Sequence, residues 1–210
     1  MLEPLPILFW ILANLLGELL WLPAVRKHGY LSMAIAANFA TLLLLPLWQA
    51  VLVTTLAGAV ADFLFRHRRW YQILFNASVT CIAVFSASRV FSSVGVGRTG
   101  LENLLSPLNV GALALSAAAY FLLNTWLVSG VVALDERLTV CRVWRKTFAS
   151  RQEILGSAIL FIFGLLFAVL FLSWGFTSVF VVTIATYIVR QAYKRFISTQ
   201  EATASRLGVA

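Results

Sequence analysis

Phe65 to Asn76 reads FRHRRWYQILFN. Arg66, His67, Arg68 and Arg69 form an unbroken basic cluster, followed by two large aromatics and an apolar run that closes on an asparagine. Apolar sequence flanks the cluster on both sides, TLAGAVADFLF before it and QILFNASVTCIAVF after the two aromatics, so the charges sit between two hydrophobic segments. Lys and Arg in short loops between membrane spans collect on the cytoplasmic side, and Trp and Tyr favour the headgroup layer. The stretch therefore reads as a cytoplasmic turn joining two spans, with Trp70 and Tyr71 at headgroup depth.

The whole composition agrees. Hydrophobic residues make up 61% of the 210 positions and charged residues 11%, and the mean hydropathy is +0.91. A soluble domain is about half apolar and about a quarter charged, so the chain reads as an integral membrane protein of one domain. The net charge of +8 is carried by short loops rather than by an independent basic face, which argues against a nucleic-acid partner. Cys81 and Cys141 stand in different settings, with no CxxC or Cys/His metal spacing. The opening MLEPLPILFWILANLLGELLWLPA lacks a basic start, carries Glu3 and has too long an apolar core for a signal peptide. It reads as a retained first span.

A hydrocarbon core of about 30 Å takes roughly 20 helical residues. Leu5 to Ala24, Tyr71 to Val94 and Leu108 to Val132 satisfy this directly. Leu31 to Phe65 as one helix would run about 50 Å at about 1.5 Å per residue, and Pro46 interrupts it. It divides into Leu31 to Leu45 and Leu47 to Phe65. Ile154 to Tyr193 is likewise too long and divides at Trp174 and Gly175. The expected fold is an all-α, polytopic helical bundle of about seven transmembrane segments, the second short or re-entrant.

The charges test that count. Seven crossings place Arg26 and Lys27, then Arg66, Arg68 and Arg69, then Arg137, Arg142, Arg145, Lys146 and Arg151, then Arg190, Lys194, Arg195 and Arg206 on one side. Only Arg89 and Arg98 fall opposite. The N-terminus is then outside and the C-terminus cytoplasmic, in the inner membrane of a bacterium. The membrane domain covers 1–195, and a short cytoplasmic tail covers 196–210. The segment 135–152, DERLTVCRVWRKTFASRQ, spaces Leu138, Cys141, Trp144 and Phe148 at helical intervals among cations. It reads as an interfacial helix, where each basic residue near an anionic leaflet adds about 1 kcal/mol of attraction. Arg66, Arg68, Arg69, Trp70, Tyr71, Arg142, Trp144, Arg145 and Lys146 are the expected membrane-surface anchors.

Catalytic signatures are not found. GVGRTG, Gly95 to Gly100, matches a dinucleotide fingerprint literally, but it links two membrane helices instead of a strand and a helix. NAS at Asn76 to Ser78 lies inside a span, and neither His28 nor His67 has a ligand partner at motif spacing. No residue pattern names a metal or cofactor.

Polar groups inside the apolar runs are more informative, because they are costly there and face a bundle interior or cavity. On the expected topology Glu18, Asp62, Asn76, Asn124 and Thr125 share the inner half of the membrane, and Asn14 lies one turn above Glu18. These six residues form the candidate ligand site. The competing reading is interhelical glue, with each polar bond contributing about 0.6 to 2 kcal/mol. Asp62 also has Arg66 one turn on.

ADFLFRHRRWYQILFN (Ala61 to Asn76), YFLLNTWLV (Tyr120 to Val128) and VWRKTF (Val143 to Phe148) together resemble the N-terminal membrane domain of bacterial HD-GYP-type phosphohydrolases and related diguanylate cyclases. The resemblance runs in order from about Leu31 to Arg195, with Asp62, Trp70, Asn76 and Asn124 at its recurrent polar and aromatic positions. It implies a sensory bundle whose last helix leads into a cytoplasmic output domain. After Arg195 only FISTQEATASRLGVA remains, too little for either enzyme domain. The expectation is thus a non-enzymatic, sensor-like domain in the bilayer that binds an unidentified small molecule, a membrane-protein partner or a second copy of itself, either standing alone or as part of a longer chain. Two alternatives stand beside it: the substrate-binding component of a vitamin-type transporter, and an accessory subunit of a larger, pigment-bearing or other membrane complex.

Overall fold

The computed structural model describes the backbone of residues 4–20, 22–23, 30–31, 33–95, 106–185, 187–188 and 191. The expectations for Arg26, Lys27, His28, Arg98, Arg190, Lys194, Arg195, Arg206, most of the GVGRTG string and the tail 196–210 lie outside the described residues. The described chain is helical apart from one two-residue antiparallel β-pair, Leu22–Pro23 with Tyr30–Leu31, which closes the connection between the first two helices.

Helix α1 is Pro4–Leu19, α2 Ala34–Leu44, α3 Leu47–Leu64, α4 Trp70–Val94, α5 Pro107–Glu136, α6 Val140–Thr147 and α7 Arg151–Trp174. Their ends follow local chemistry. Pro46 forces the preceding Leu45 into an extended conformation, ψ 152°, which stops α2 and starts α3. Ser106 caps α5 by accepting from Asn109 N, with Pro107 at the first helical position. Ser150 caps α7 by accepting from Glu153 N. Helix α5 runs four residues past the expected Val132, ending where Arg137 turns left-handed.

The expected break at Trp174 and Gly175 is present. Gly175 has φ +59° and opens a 3-10 turn, Gly175–Thr177, after which the backbone is again helical over 178–185. The chain reverses there. Phe163 and Thr183 line one cavity, whereas twenty residues of straight helix would hold them about 30 Å apart. Among the described residues, four helical stretches suffice by length and apolarity to cross a bilayer: Leu47–Leu64, Trp70–Val94, Pro107–Glu136 and, counted through the Gly175 turn, Glu153–Ala185. Ile7–Leu19 and Ala34–Leu44 are apolar but shorter.

Helix α2 explains its own shortness. Nine of its eleven residues are buried, from Ala34 to Leu43, and it packs against α1, α3, α4 and α7. A helix apolar on every side belongs in an interior, and non-ideal spans are tolerated at membrane depth where protein covers them. Two glycines bring its neighbours close. A Cβ on Gly164 of α7 would lie 2.6 Å from Ala36 O, and one on Gly17 of α1 would lie 3.0 Å from Ala34 Cα. Around this centre Trp10, Phe39, Phe161 and Phe167 fill the core, with Trp10 and Phe167 ring centres 5.2 Å apart and Phe39 and Phe161 5.0 Å apart. The remaining helices follow in sequence, α1 on α3, α3 on α4 and α4 on α5.

Candidate functional site

Asp62 lies in the last turn of α3, on a face kept narrow by Ala57, Gly58 and Ala61, and its side chain is 2% exposed. The chain then wraps over it. Phe65 N and Arg66 N both donate to Ala61 O, His67 takes a left-handed φ of 47°, and Arg68 N donates to Asp62 O at 3.1 Å. This turn returns two guanidiniums to one carboxylate. Arg66 Nη1 donates to Asp62 Oδ1 at 2.8 Å, and Arg68 Nε stands 3.4 Å from the same oxygen. Asn76 Nδ2, from the second turn of α4, donates to Asp62 Oδ2 at 2.6 Å.

Glu18, at the end of α1, completes the group. Arg66 Nη2 donates to Glu18 Oε2 at 2.5 Å, so one guanidinium bridges carboxylates from two helices. Burial works against the Arg66 charge, but Glu18 and Asp62 more than offset it and hold its pKa above the ordinary value. Two carboxylates and two guanidiniums leave the cluster formally neutral, as groups withdrawn from water require. It offers carboxylate acceptors and guanidinium donors side by side but no paired nucleophile and base. Among the described residues no group of three His, Cys, Asp or Glu is placed to hold a metal ion.

Of the six sequence-predicted residues, the structure brings Glu18, Asp62 and Asn76 together and separates the other three. Asn14 Nδ2 donates to Thr41 Oγ1 at 2.8 Å and to Trp10 O at 2.7 Å, while its buried Oδ1 has no protein partner. Thr125 accepts from Trp144 Nε1 at 2.9 Å and donates to Phe121 O at 2.7 Å. Asn124, half-buried on α5, belongs to neither group. The reason is rotational: residues at one depth share a site only if their helices turn them the same way, and depth was all that the span assignment supplied.

The expected surface anchors also divide. Trp70 is 73% exposed and meets Tyr71 edge-on at 6.0 Å, and Arg69 Nη1 donates to Tyr71 Oη at 3.3 Å. Arg66 and Arg68 are drawn into the ion cluster. On α6, Arg142, Arg145 and Lys146 are exposed, but the side packed on protein is Val143 and Trp144, with Leu138 and Cys141 left exposed. Helix α6 leans back along α5, because Trp144 stacks on Trp126 at 5.8 Å and 23°, ten residues short of the α5 end. One interior bond escaped the sequence reading as a pair: Asn38 Nδ2 donates to Tyr120 Oη at 3.1 Å. The two are 82 positions apart, and no local pattern connects them.

A family model, MASE9, matches residues 7–202, nearly the whole chain. The chain belongs to the MASE9 family. MASE9 is a family of membrane-associated sensor domains, which agrees with the apolar helices. No curated protein and no solved structure matches the chain. The MASE9 match begins before Glu18 and ends beyond the Gly175 reversal, so the ion cluster, the α5–α6 hairpin and the terminal helix all belong to the family's domain.

Proposed function

We propose that this MASE9 chain is a non-enzymatic sensor module of a bacterial inner membrane, crossing it about seven times with its N-terminus outside and its basic loops in the cytoplasm. Family membership over residues 7–202 carries the proposal. The ligand site we assign is the Glu18–Arg66–Asp62–Asn76 cluster, which joins α1 to the α3–α4 turn. A small polar molecule, or a polar group of a partner protein, that exchanges with one arm of this cluster alters how α1 is tied to α3 and α4. Helix α1 also packs on the terminal hairpin through Phe9, whose ring lies 5.2 Å from Phe171 and 4.8 Å from Phe176. That contact supports a route from the cluster to the C-terminal helix, and onward to an output domain or partner.

The test is extraction from the native membrane in mild detergent, with mass spectrometry of copurifying small molecules and proteins, followed by titration of any molecule recovered. Asn76→Leu is expected to abolish its binding while the protein still folds, and Asn124→Leu, outside the cluster, is expected to bind normally. Unchanged affinity in Asn76→Leu overturns the site. Recovery only within a large, defined assembly, with no small molecule retained, favours the accessory-subunit reading.

A further inference from the structure

We infer that the α5–α6 hairpin is a recognition surface for anionic phospholipid headgroups, coupled directly to the long helix α5. The inference is independent of the ligand assigned to the ion cluster. Helix α6 has two chemically opposite sides. Val143, 3% exposed, and Trp144 hold it to α5, while Arg142 and Arg145, three residues apart on one face, are exposed. Lys146 extends the same basic side.

Position along the hairpin points to a lipid rather than a soluble anion. The exposed acids Asp135 and Glu136 are at its tip, and the arginines come after the turn, on the limb that returns toward Trp126. Trp126 is 42% exposed and stacked on Trp144. Tryptophan settles at the interface between hydrocarbon and headgroups, and guanidinium recognises phosphate oxygens with directed N–H donors. A Trp pair with arginines beside it, and acids held further out, matches the order of layers in an anionic leaflet.

The surface is not an isolated patch. Trp144 Nε1 donates to Thr125 Oγ1 at 2.9 Å, and five residues earlier on α5 Tyr120 Oη accepts from Asn38 of the central helix α2. Lipid that pulls on α6 therefore acts on a helix already joined to the core. In this arrangement the hairpin reports leaflet charge to the bundle.

Cys141, exposed on α6, supplies the reporter, since Cys81 is the only other thiol. In a Cys81→Ala background it is labelled with a fluorophore, and the chain is placed in phosphatidylcholine nanodiscs containing brominated phosphatidylglycerol or brominated phosphatidylcholine. Each basic residue near an anionic surface strengthens association by about fivefold. Quenching is expected to favour phosphatidylglycerol by about tenfold or more in the parent, to lose about fivefold of that in Arg142→Gln or Arg145→Gln, and to persist in the Lys variants. Equal quenching by the two lipids in the parent overturns the proposal, as does an undiminished preference in the double Gln variant with an unchanged melting temperature. Abolition of the preference by inorganic phosphate at constant ionic strength also overturns it, by assigning the arginines to a soluble anion.

Discussion

Arg66 bridges carboxylates from two helices, and that geometry separates it from a lysine. A guanidinium presents its donors in a planar fork, so Nη1 and Nη2 serve Asp62 and Glu18 at once. An ammonium of shorter reach replaces one of the two. Removing one partner of a buried ion pair costs several kcal/mol because the other charge stays behind, and Arg66 at 28% exposure recovers part of this through water. Arg66→Ala is expected to destabilise the protein by about 2–3 kcal/mol in a detergent melt, with Arg66→Lys between it and the parent. Glu18→Gln keeps an acceptor for Arg66 and is expected to melt above Glu18→Leu. Identical melting of parent and Arg66→Ala, or of the two Glu18 variants, removes the cluster's structural role. The Asp62–Arg66 bond was legible in the sequence because it needs only one helical turn; Glu18, 48 positions away from Arg66, was legible as a costly charge but not as that arginine's partner.

At the scale of elements, the shortest apolar helix is the most buried one. Helix α2 was readable as short from Pro46, but its central place follows from small residues that allow α1 and α7 to approach it. Gly164 is the sharper example, with space for a hydrogen and not for a methyl group beside Ala36 O and Phe39 Cβ. Overpacking of this kind costs about 1–3 kcal/mol, so Gly164→Ala is expected to lower stability by that amount. Gly111→Ala, where a Cβ meets nothing within 4 Å, is expected to be neutral or slightly stabilising, since alanine is the better helix former by about 1 kcal/mol. Equal thermal shifts for the two variants contradict the close α2–α7 crossing. Helix α6 was readable as amphipathic, but of the stripe Leu138, Cys141, Trp144 and Phe148 the first two stay exposed while Trp144 turns to protein. A cationic helix has apolar residues on more than one side, and only contact with Trp126 and Thr125 selects Val143 and Trp144.

For the whole molecule, the proposed orientation rests on the distribution of Lys and Arg, and Cys141 tests it. In intact cells Cys141 is expected to resist a membrane-impermeant thiol reagent, and in inverted vesicles to react. Labelling from outside intact cells reverses the orientation of the bundle. The same charge distribution places the ion cluster, the basic turn at Arg66 to Arg69 and the hairpin tip at one end of the molecule. The α3–α4 turn is contiguous with Asp62 in the structure, and antiparallel packing of α4 on α5, marked by Ser116 Oγ donating to Ala87 O at 2.8 Å, brings the start of α4 beside the end of α5.

The sequence by itself determined that the chain is a helical membrane protein, where its main helices break and which connections carry the positive charge. These are one-dimensional properties, set by the transfer cost of each residue and by proline, glycine and capping groups acting within a few positions. Tertiary structure alone decided which faces meet: that α2 lies in the centre, that α6 leans on α5, and that six polar residues read as one candidate site do not share one. The physical reason is that hydrocarbon rewards apolar length without regard to direction, whereas close packing and directed hydrogen bonds depend on the rotation of each helix about its axis.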